Sequence, residues 1–323
     1  MAISNFGYRS TALEVVSGIN LSDKNAIVTG GYSGIGIETV IALASAGANV
    51  TIACRDLSRA EDVANELNSR GLLGTVDAQL LDLGSLQSVK KFTESYRAKH
   101  TSLEILINNA GVMACPFEKT IDGFERQFGT NHLGHYALSR LLLPLLLNAE
   151  YARVVCLSST GHMISPVVFD DINFGQRTYD AWSSYGQAKT ANSLTAVAFQ
   201  QFYGSKGIDA FAVHPGGIMT SLQRHMDKKD IEARGWVDAE GNINERFKTV
   251  EQGASTSTWA ATSIQLTGKG GVYLEDCDVA EVMASRPEFP KGVIAYAVDA
   301  DAAKQLWQVS ESMIVDKFPG YFE

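Results

Sequence analysis

The sequence has few cysteines for its 323 residues: Cys54, Cys115, Cys156 and Cys277, no two at a C-x-x-C spacing. That excludes a disulfide-stapled scaffold and reads as a reducing, cytoplasmic setting. Basic charge is also short. Lys and Arg number 27 against 36 Asp and Glu, a net charge of −9. A nucleic-acid binder usually shows a basic face, so no such partner is expected. Long apolar runs are missing too. The strongest, residues 141–147, is interrupted by Pro144. It falls far below the ~20 residues a membrane helix needs, so no membrane span is expected. The N-terminus shows no cationic start leading into an apolar stretch, so no leader is read there. Metal-ligand spacing is thin. His132 and His135 lie three apart on an expected helix, but no carboxylate or cysteine stands at a companion spacing. No metal is expected, and both histidines are read as structural.

What is present is an ordinary globular composition, 45% hydrophobic and 20% charged, enough for a sizeable core. Short apolar runs alternate with helical patterns. Strands are expected at 25–29, 49–53, 76–81, 103–107, 153–157 and 208–213. Helices are expected at 35–46, 58–69, 85–99, 122–147 and 184–201, with a terminal helix at 299–316. Alternation of this kind predicts a parallel sheet covered on both faces. Right-handed crossovers make it an α/β, doubly wound, Rossmann-type sheet. No repeat or linker divides it. The expectation is an arm at 1–21 and a single domain at 22–323. Two stretches break the rhythm, at about 162–183 and 217–248. The second is polar from Gln223 to Lys248 and carries Gly235 and Gly241. Long insertions in compact domains tend to be functional loops or lids, so this one is expected to cover a site.

The first strand ends in Thr29-Gly30-Gly31-Tyr32-Ser33-Gly34-Ile35-Gly36. Glycines let the chain turn sharply and approach a pyrophosphate. The following helix would aim free N–H groups and its positive dipole end at that anion. A glycine cluster alone is weak evidence. Its place between a strand and a helix is what the motif requires.

This Gly-x-x-x-Gly-x-Gly spacing resembles the turn of the short-chain dehydrogenases/reductases, and further segments match that family in order. They are Asp82 in Leu81-Asp82-Leu83, Asn108-Asn109-Ala110-Gly111, Asn131 in Thr130-Asn131-His132-Leu133-Gly134-His135, and Ser158-Ser159. Then come Tyr185-Gly186-Gln187-Ala188-Lys189, and Pro215-Gly216 with Thr220 just beyond. The resemblance covers roughly 22–280. Within the family the chain looks most like the branch of retinol-dehydrogenase-like and WW-domain oxidoreductase-like proteins. Residues Phe6–Thr11 also look like plant chloroplast-envelope relatives. The sequence carries neither a WW module nor the apolar anchor of microsomal retinol dehydrogenases, which counts against retinoids as substrates.

The resemblance implies an NADP(H)-dependent oxidoreductase. It would move a hydride between nicotinamide and a carbonyl or alcohol carbon of a small, apolar molecule. It assigns cofactor contacts to Gly30, Tyr32, Ser33, Gly34, Ile35, Gly36, Arg55, Asp82, Leu83, Asn109, Ala110, Gly111, Tyr185, Lys189, Pro215, Gly216, Ile218 and Thr220. NAD-preferring relatives carry an acid where Cys54 stands; here Arg55 follows, and a guanidinium can bind a 2′-phosphate. Asp56 could instead hold Arg55 or bind the ribose hydroxyls itself. The resemblance also assigns catalysis to Asn131, Ser159, Tyr185 and Lys189. At i and i+4, Tyr185 and Lys189 share a helix face. The ammonium is expected to lower the tyrosine below its ordinary value near 10. Ser159, with Ser158 as its rival, would bind the substrate oxygen. Asn131 would anchor a water and the lysine, and His162 could wall the pocket.

Met219, Leu222, Met226, Trp236 and Phe247 could make the pocket apolar, with the insertion after Ser159 forming another wall. Leu138, Leu142, Ala191, Leu194, Ala198 and Phe199 are apolar beyond what one sheet face needs, which suggests a homodimer or homotetramer. The alternatives are a non-catalytic NADP(H)-sensing regulatory or scaffold protein, and a nucleotide-sugar epimerase or dehydratase. Intact Ser159, Tyr185 and Lys189 weigh against the first, and the glycine spacing weighs against the second.

Overall fold

The computed structural model describes residues 4–288 and 290–323. Its sheet is built from β1 (Asn25–Thr29), β2 (Asn49–Cys54), β3 (Val76–Leu80), β4 (Ile105–Asn108), β5 (Ala152–Leu157), β6 (Ile208–His214), β7 (Val272–Glu275) and β8 (Asp278–Val279). The helices are α1 (Ala12–Val16), α2 (Gly34–Ser45), α3 (Leu57–Ser69), α4 (Leu86–Arg97), α5 (Arg126–Phe128), α6 (Gly134–Asn148), α7 (Ala181–Tyr203), α8 (Lys228–Ala233), α9 (Val250–Gly253), α10 (Ser255–Thr262) and α11 (Ala300–Val315). The strand order is β3-β2-β1-β4-β5-β6-β7-β8. All pairs are parallel except β7 with β8. The order reverses between β1 and β4. A crevice opens there at the carboxyl ends of the strands, where open α/β sheets bind ligands.

Neighbouring residues along each strand serve opposite cores. Ile27, Leu106, Val154 and Ala210 face one core with α4, α6, α7 and α11. Val28, Ile107, Val155 and Phe211 face the other with α1, α2, α3 and α10. Burial on both faces explains why the strands read as continuous apolar runs. Among the described residues no helix is long and apolar enough to cross a membrane.

Three departures from the sequence reading have physical causes. The helix expected from 122 starts later. Gly123 adopts φ +83°, outside helical space, and the Glu125 carboxylate caps the helix by accepting from the Gln127 and Phe128 amides. Residues Gly129–Leu133 then form a wider π turn before α6 begins. Second, within the N-terminal arm residues 12–16 form α1, which docks on the core through Ala12, Val15 and Val16. Third, the apolar surplus on α6 and α7 has its partner inside the chain. Leu138, Leu142, Ala191, Leu194, Ala198 and Phe199 are all buried. Here α11 packs on α7, and the Trp307 ring meets Phe199 at 5.1 Å and Tyr136 at 5.0 Å. The apolar argument for a homodimer or homotetramer through this face therefore falls.

Candidate active site

The β1–α2 turn fits a pyrophosphate. Gly30 and Gly34 sit at φ +65° and +56°, where a side chain would be strained. A Cβ on Gly36 would stand 2.5 Å from the Gly30 carbonyl oxygen and 2.8 Å from Asn109 Nδ2. Ser33 precedes α2 without a side-chain cap, whereas Asp56, Ser85, Asp180 and Asp299 cap α3, α4, α7 and α11. The first amides of α2 are thus left for an anion. The β4 loop braces the turn. Asn109 Nδ2 donates to the Thr29 carbonyl at 2.8 Å, and the Asn109 and Ala110 amides donate to Thr29 Oγ1 at 2.8 and 2.9 Å.

From this turn a cavity of about 1150 Å³ runs across the ends of the strands. Of the expected cofactor residues, Gly30, Tyr32, Ser33, Gly34, Ile35, Gly36, Arg55, Asp82, Leu83, Asn109, Ala110, Gly111, Pro215, Gly216, Ile218 and Thr220 all line it, as do Ser159, Tyr185 and Lys189. Arg59, which no sequence motif marks, lines it as well; its guanidinium lies 5.4 Å from the Tyr32 ring. The Asp56 carboxylate accepts from the Arg59 amide at 3.2 Å and so caps α3.

Asn131 does not line the cavity. It stands one layer behind. Its side chain accepts from the Val112 amide and donates to the Val112 carbonyl, both at 2.8 Å. A Cβ on Gly111 would lie 3.2 Å from Asn131 Oδ1 and 3.8 Å from Lys189 Nζ, so the glycine lets these groups approach. The Asn131 carbonyl accepts from His135 Nδ1 at 2.9 Å. That fixes the tautomer, and His135 Nε2 accepts from the Thr29 hydroxyl at 2.9 Å. One histidine thus ties the Asn131 turn to the loop that braces the glycines.

The catalytic candidates sit on α7 and at the end of β5. Ser159 Oγ accepts from the Gly161 amide at 3.0 Å, and Ser159 and Tyr185 line the same cavity. A Cβ on Gly161 would come within 2.7 Å of the Tyr185 ring, so glycine is required beneath the tyrosine. Ser158 is committed elsewhere: its hydroxyl donates to the Lys189 carbonyl and accepts from Ser193 Oγ, each at 2.9 Å. Lys189 Nζ donates to the Leu157 carbonyl at 2.9 Å and lies 5.6 Å from the Tyr185 ring centroid.

Burial governs the electrostatics here. It pushes Tyr185 up to about 12, with the Ser159 hydrogen bond pulling the other way. Burial also pushes Lys189 down to about 8. The expected lowering of Tyr185 by the ammonium is not found: burial dominates and raises it. The tyrosine is protonated at neutral pH, the form an acid needs.

Other expectations need correction. His162 is buried and does not line the cavity. Its Nδ1 donates to the Ser159 carbonyl at 2.7 Å and its Nε2 accepts from the Ile294 amide at 3.1 Å, which ties the Ser159 loop to a distant segment. None of residues 162–183 lines the cavity; the segment is held by its own turns and by contacts such as the Tyr179 hydroxyl donating to the Cys115 carbonyl at 2.9 Å. There Asp171 accepts from the Gly175, Gln176 and Arg177 amides, and the Arg177 guanidinium lies 3.8 Å from the Phe174 ring. Met219, Leu222, Trp236 and Phe247 line the cavity; Met226 does not. His132 turns to Ser310 at 2.7 Å while His135 turns to Thr29, so the pair does not converge on a metal. Among the described residues no group of His, Cys, Asp and Glu could hold one.

Residues 24–231 match the short chain dehydrogenase family. The chain belongs to the short-chain dehydrogenase/reductase family. It is 40% identical to a short-chain dehydrogenase/reductase of Penicillium roqueforti, over 95% of this chain and 90% of that one. It is 37% identical to retinol dehydrogenase 12 of Mus musculus, over 90% and 86%. A crystal structure of a Mycobacterium paratuberculosis protein superposes with a TM-score of 0.70 at 31% identity, covering 94% of this chain and 97% of that one. The chain is thus an oxidoreductase of the retinol-dehydrogenase-like branch of this family.

Proposed function

We propose that this oxidoreductase uses NADP(H) and interconverts a small apolar carbonyl compound and its alcohol. The observation that carries the reading is the placement of two chemistries in one cavity. Arg55 and Arg59 stand at one end, and Ser159, Tyr185 and an aromatic wall stand at the other. When bound, the nicotinamide supplies or takes the hydride. The chain's own groups handle the proton and the charge. In reduction Tyr185 Oη donates its proton to the substrate oxygen, and the Ser159 hydroxyl donates a second hydrogen bond to the same atom. Lys189 holds positive charge behind the ring, where it stabilises the phenolate that forms. In oxidation the same tyrosine oxygen takes the proton back. Asn131 acts from the second layer by holding the Gly111–Val112 segment against the lysine.

Selection of NADP(H) rests on three features. Cys54, not an acid, ends β2. Asp56 is used as a helix cap. Two guanidiniums, Arg55 and Arg59, line the cavity beside it. One charge-assisted hydrogen bond contributes ~1.5–3 kcal/mol, so a preference of about ten- to a hundredfold over NAD(H) follows. Arg55→Ala should weaken NADPH binding by about that factor and leave NADH nearly unchanged. Equal losses for both cofactors would remove the basis for the choice. Consumption of NADPH against a panel of aldehydes, ketones and quinones tests the reaction itself.

A further inference from the structure

The N-terminal residues meet the far end of the same cavity, well outside the segment that matches the family. Tyr8 lines the cavity together with Phe247 and Asp276. The stretch carrying Tyr8 is held at both ends. Ser4 Oγ donates to the Cys277 carbonyl at 2.7 Å. On the other side, Thr11 and Glu14 form a reciprocal capping box that starts α1. Between these anchors the chain crosses residues 245–248. Arg9 donates to the Glu245 carbonyl at 2.6 Å, the Phe247 carbonyl at 3.0 Å and Gln252 Oε1 at 3.2 Å. The Tyr8 hydroxyl donates to the Arg246 carbonyl. The Lys248 ammonium lies 4.8 Å from the Tyr8 ring and pairs with Asp276 at 2.7 Å. The Lys248 amide then donates to the Gly217 carbonyl at 2.8 Å, beside the loop that lines the nicotinamide end.

We propose that the N-terminal strap is part of the substrate site: Tyr8 forms its outer wall, and Arg9 is a positioning residue that seats the Phe247 wall. The proposal rests on the carbonyl-reductase reading for its substrate and on the contacts above for its mechanics. Backbone carbonyls of a lid are poor anchors alone, because water competes for them equally well. A guanidinium presents several fixed donors and can hold two or three acceptors at once. The strap thus converts an exposed return segment into a fixed wall. Tyr8 sets how far the apolar end extends, because its ring closes that end beyond Phe247.

The test uses the full chain with NADPH and 2-alkanones from butanone to decanone. Arg9→Ala should raise KM for these ketones about tenfold, with kcat and NADPH affinity changed by less than about twofold. Amide exchange at 243–249 should accelerate while exchange in α7 stays the same. Arg9→Lys keeps the charge but loses the fork, and should recover only part of the KM. Tyr8→Ala should shift the kcat/KM ranking toward the longer ketones. Unchanged KM and unchanged exchange at 243–249 in Arg9→Ala would overturn the proposal. So would a loss of NADPH affinity as large as the rise in KM, which would assign the strap to the cofactor end. If the parent turns over none of these ketones, the substrate reading is what fails. The exchange comparison then decides the strap alone.

Discussion

Every residue of α7 from Ser184 to Phe199 is buried, whereas α8 on the other side of the cavity buries none. The two regions serve one site and are built on opposite principles. On the α7 side the polar groups are spent on one another. Ser158 is bound to Lys189 and Ser193, Thr190 Oγ1 donates to the Ser165 carbonyl, and Asn192 Nδ2 donates to the Leu157 carbonyl. That network leaves Ser159 and Tyr185 facing the cavity in one fixed geometry. On the 217–248 side, aromatic rings meet at their edges over an exposed segment. Trp236 lies 6.2 Å from Trp182 and 5.8 Å from Phe247, and the Arg234 guanidinium lies 3.8 Å from the Trp182 ring. In the proposed mechanism, the chemistry that needs sub-ångström placement falls to the close-packed region. In the same proposal, recognition that must admit and release a substrate falls to the loosely packed one.

Paired tryptophan substitutions would sharpen that contrast most. Trp307 is buried among Tyr136, Phe199 and Phe202 on the α7 side. Its replacement by alanine should cost about 3–5 kcal/mol of unfolding free energy. Trp236→Ala, at a half-buried position, should cost clearly less, about 1 kcal/mol. Its effect should appear in KM for an apolar ketone. Chemical denaturation of both variants checks this. Equal destabilisation would erase the distinction between the two regions.

A smaller effect concerns pH. Burial holds His132 down at about 3, His135 at about 4, His162 at about 4 and His214 at about 3. A folded value below the ordinary 6.5 means that the unfolded chain takes up protons first. The stability linked to these groups is complete above 6.5 and is lost as pH falls toward 4. Each histidine contributes a slope approaching about 1.4 kcal/mol per pH unit in that window. His225, exposed in the 217–248 segment, is lowered by its partial burial and by the charges of Arg224 and Arg126. Melting temperatures between pH 7 and 4 should therefore fall for the parent. The fall should be the same in His225→Gln and shallower in His132→Gln. A flat profile would show that the buried histidines are not held neutral.

Much of the fold and site was legible because strand burial and glycine spacing are local signals. The six strands from 25 to 213 and the helices between them follow from runs of apolar residues at fixed distances. What stayed hidden depends on tertiary context. Helix α10, Ser-Thr-Ser-Thr-Trp-Ala-Ala-Thr, has no polar face to give it a period. Its residues from Ser255 to Ala261 are buried, and Thr258 and Thr262 donate to the carbonyls of Ala254 and Thr258 four residues earlier. Strand β7 has only four residues. Helix α1 is only five residues long, and its docking on α2 and α10 follows from tertiary contacts. Arg59 looked like any surface arginine of a helix until α3 was placed beside Tyr32. The roles of His135 and His162 as ties between loops required three-dimensional partners that no spacing rule supplies.

In the proposed mechanism Tyr185 moves the proton in a site whose cofactor binding does not depend on its hydroxyl. Tyr185→Phe keeps the ring above Gly161 and removes only that hydroxyl. NADPH binding by fluorescence, measured beside turnover of one reactive ketone, separates the two roles. NADPH affinity should stay close to the parent's while turnover falls by about 10²–10⁴. Turnover equal to the parent's would mean that another group supplies the proton and that the mechanism is wrong.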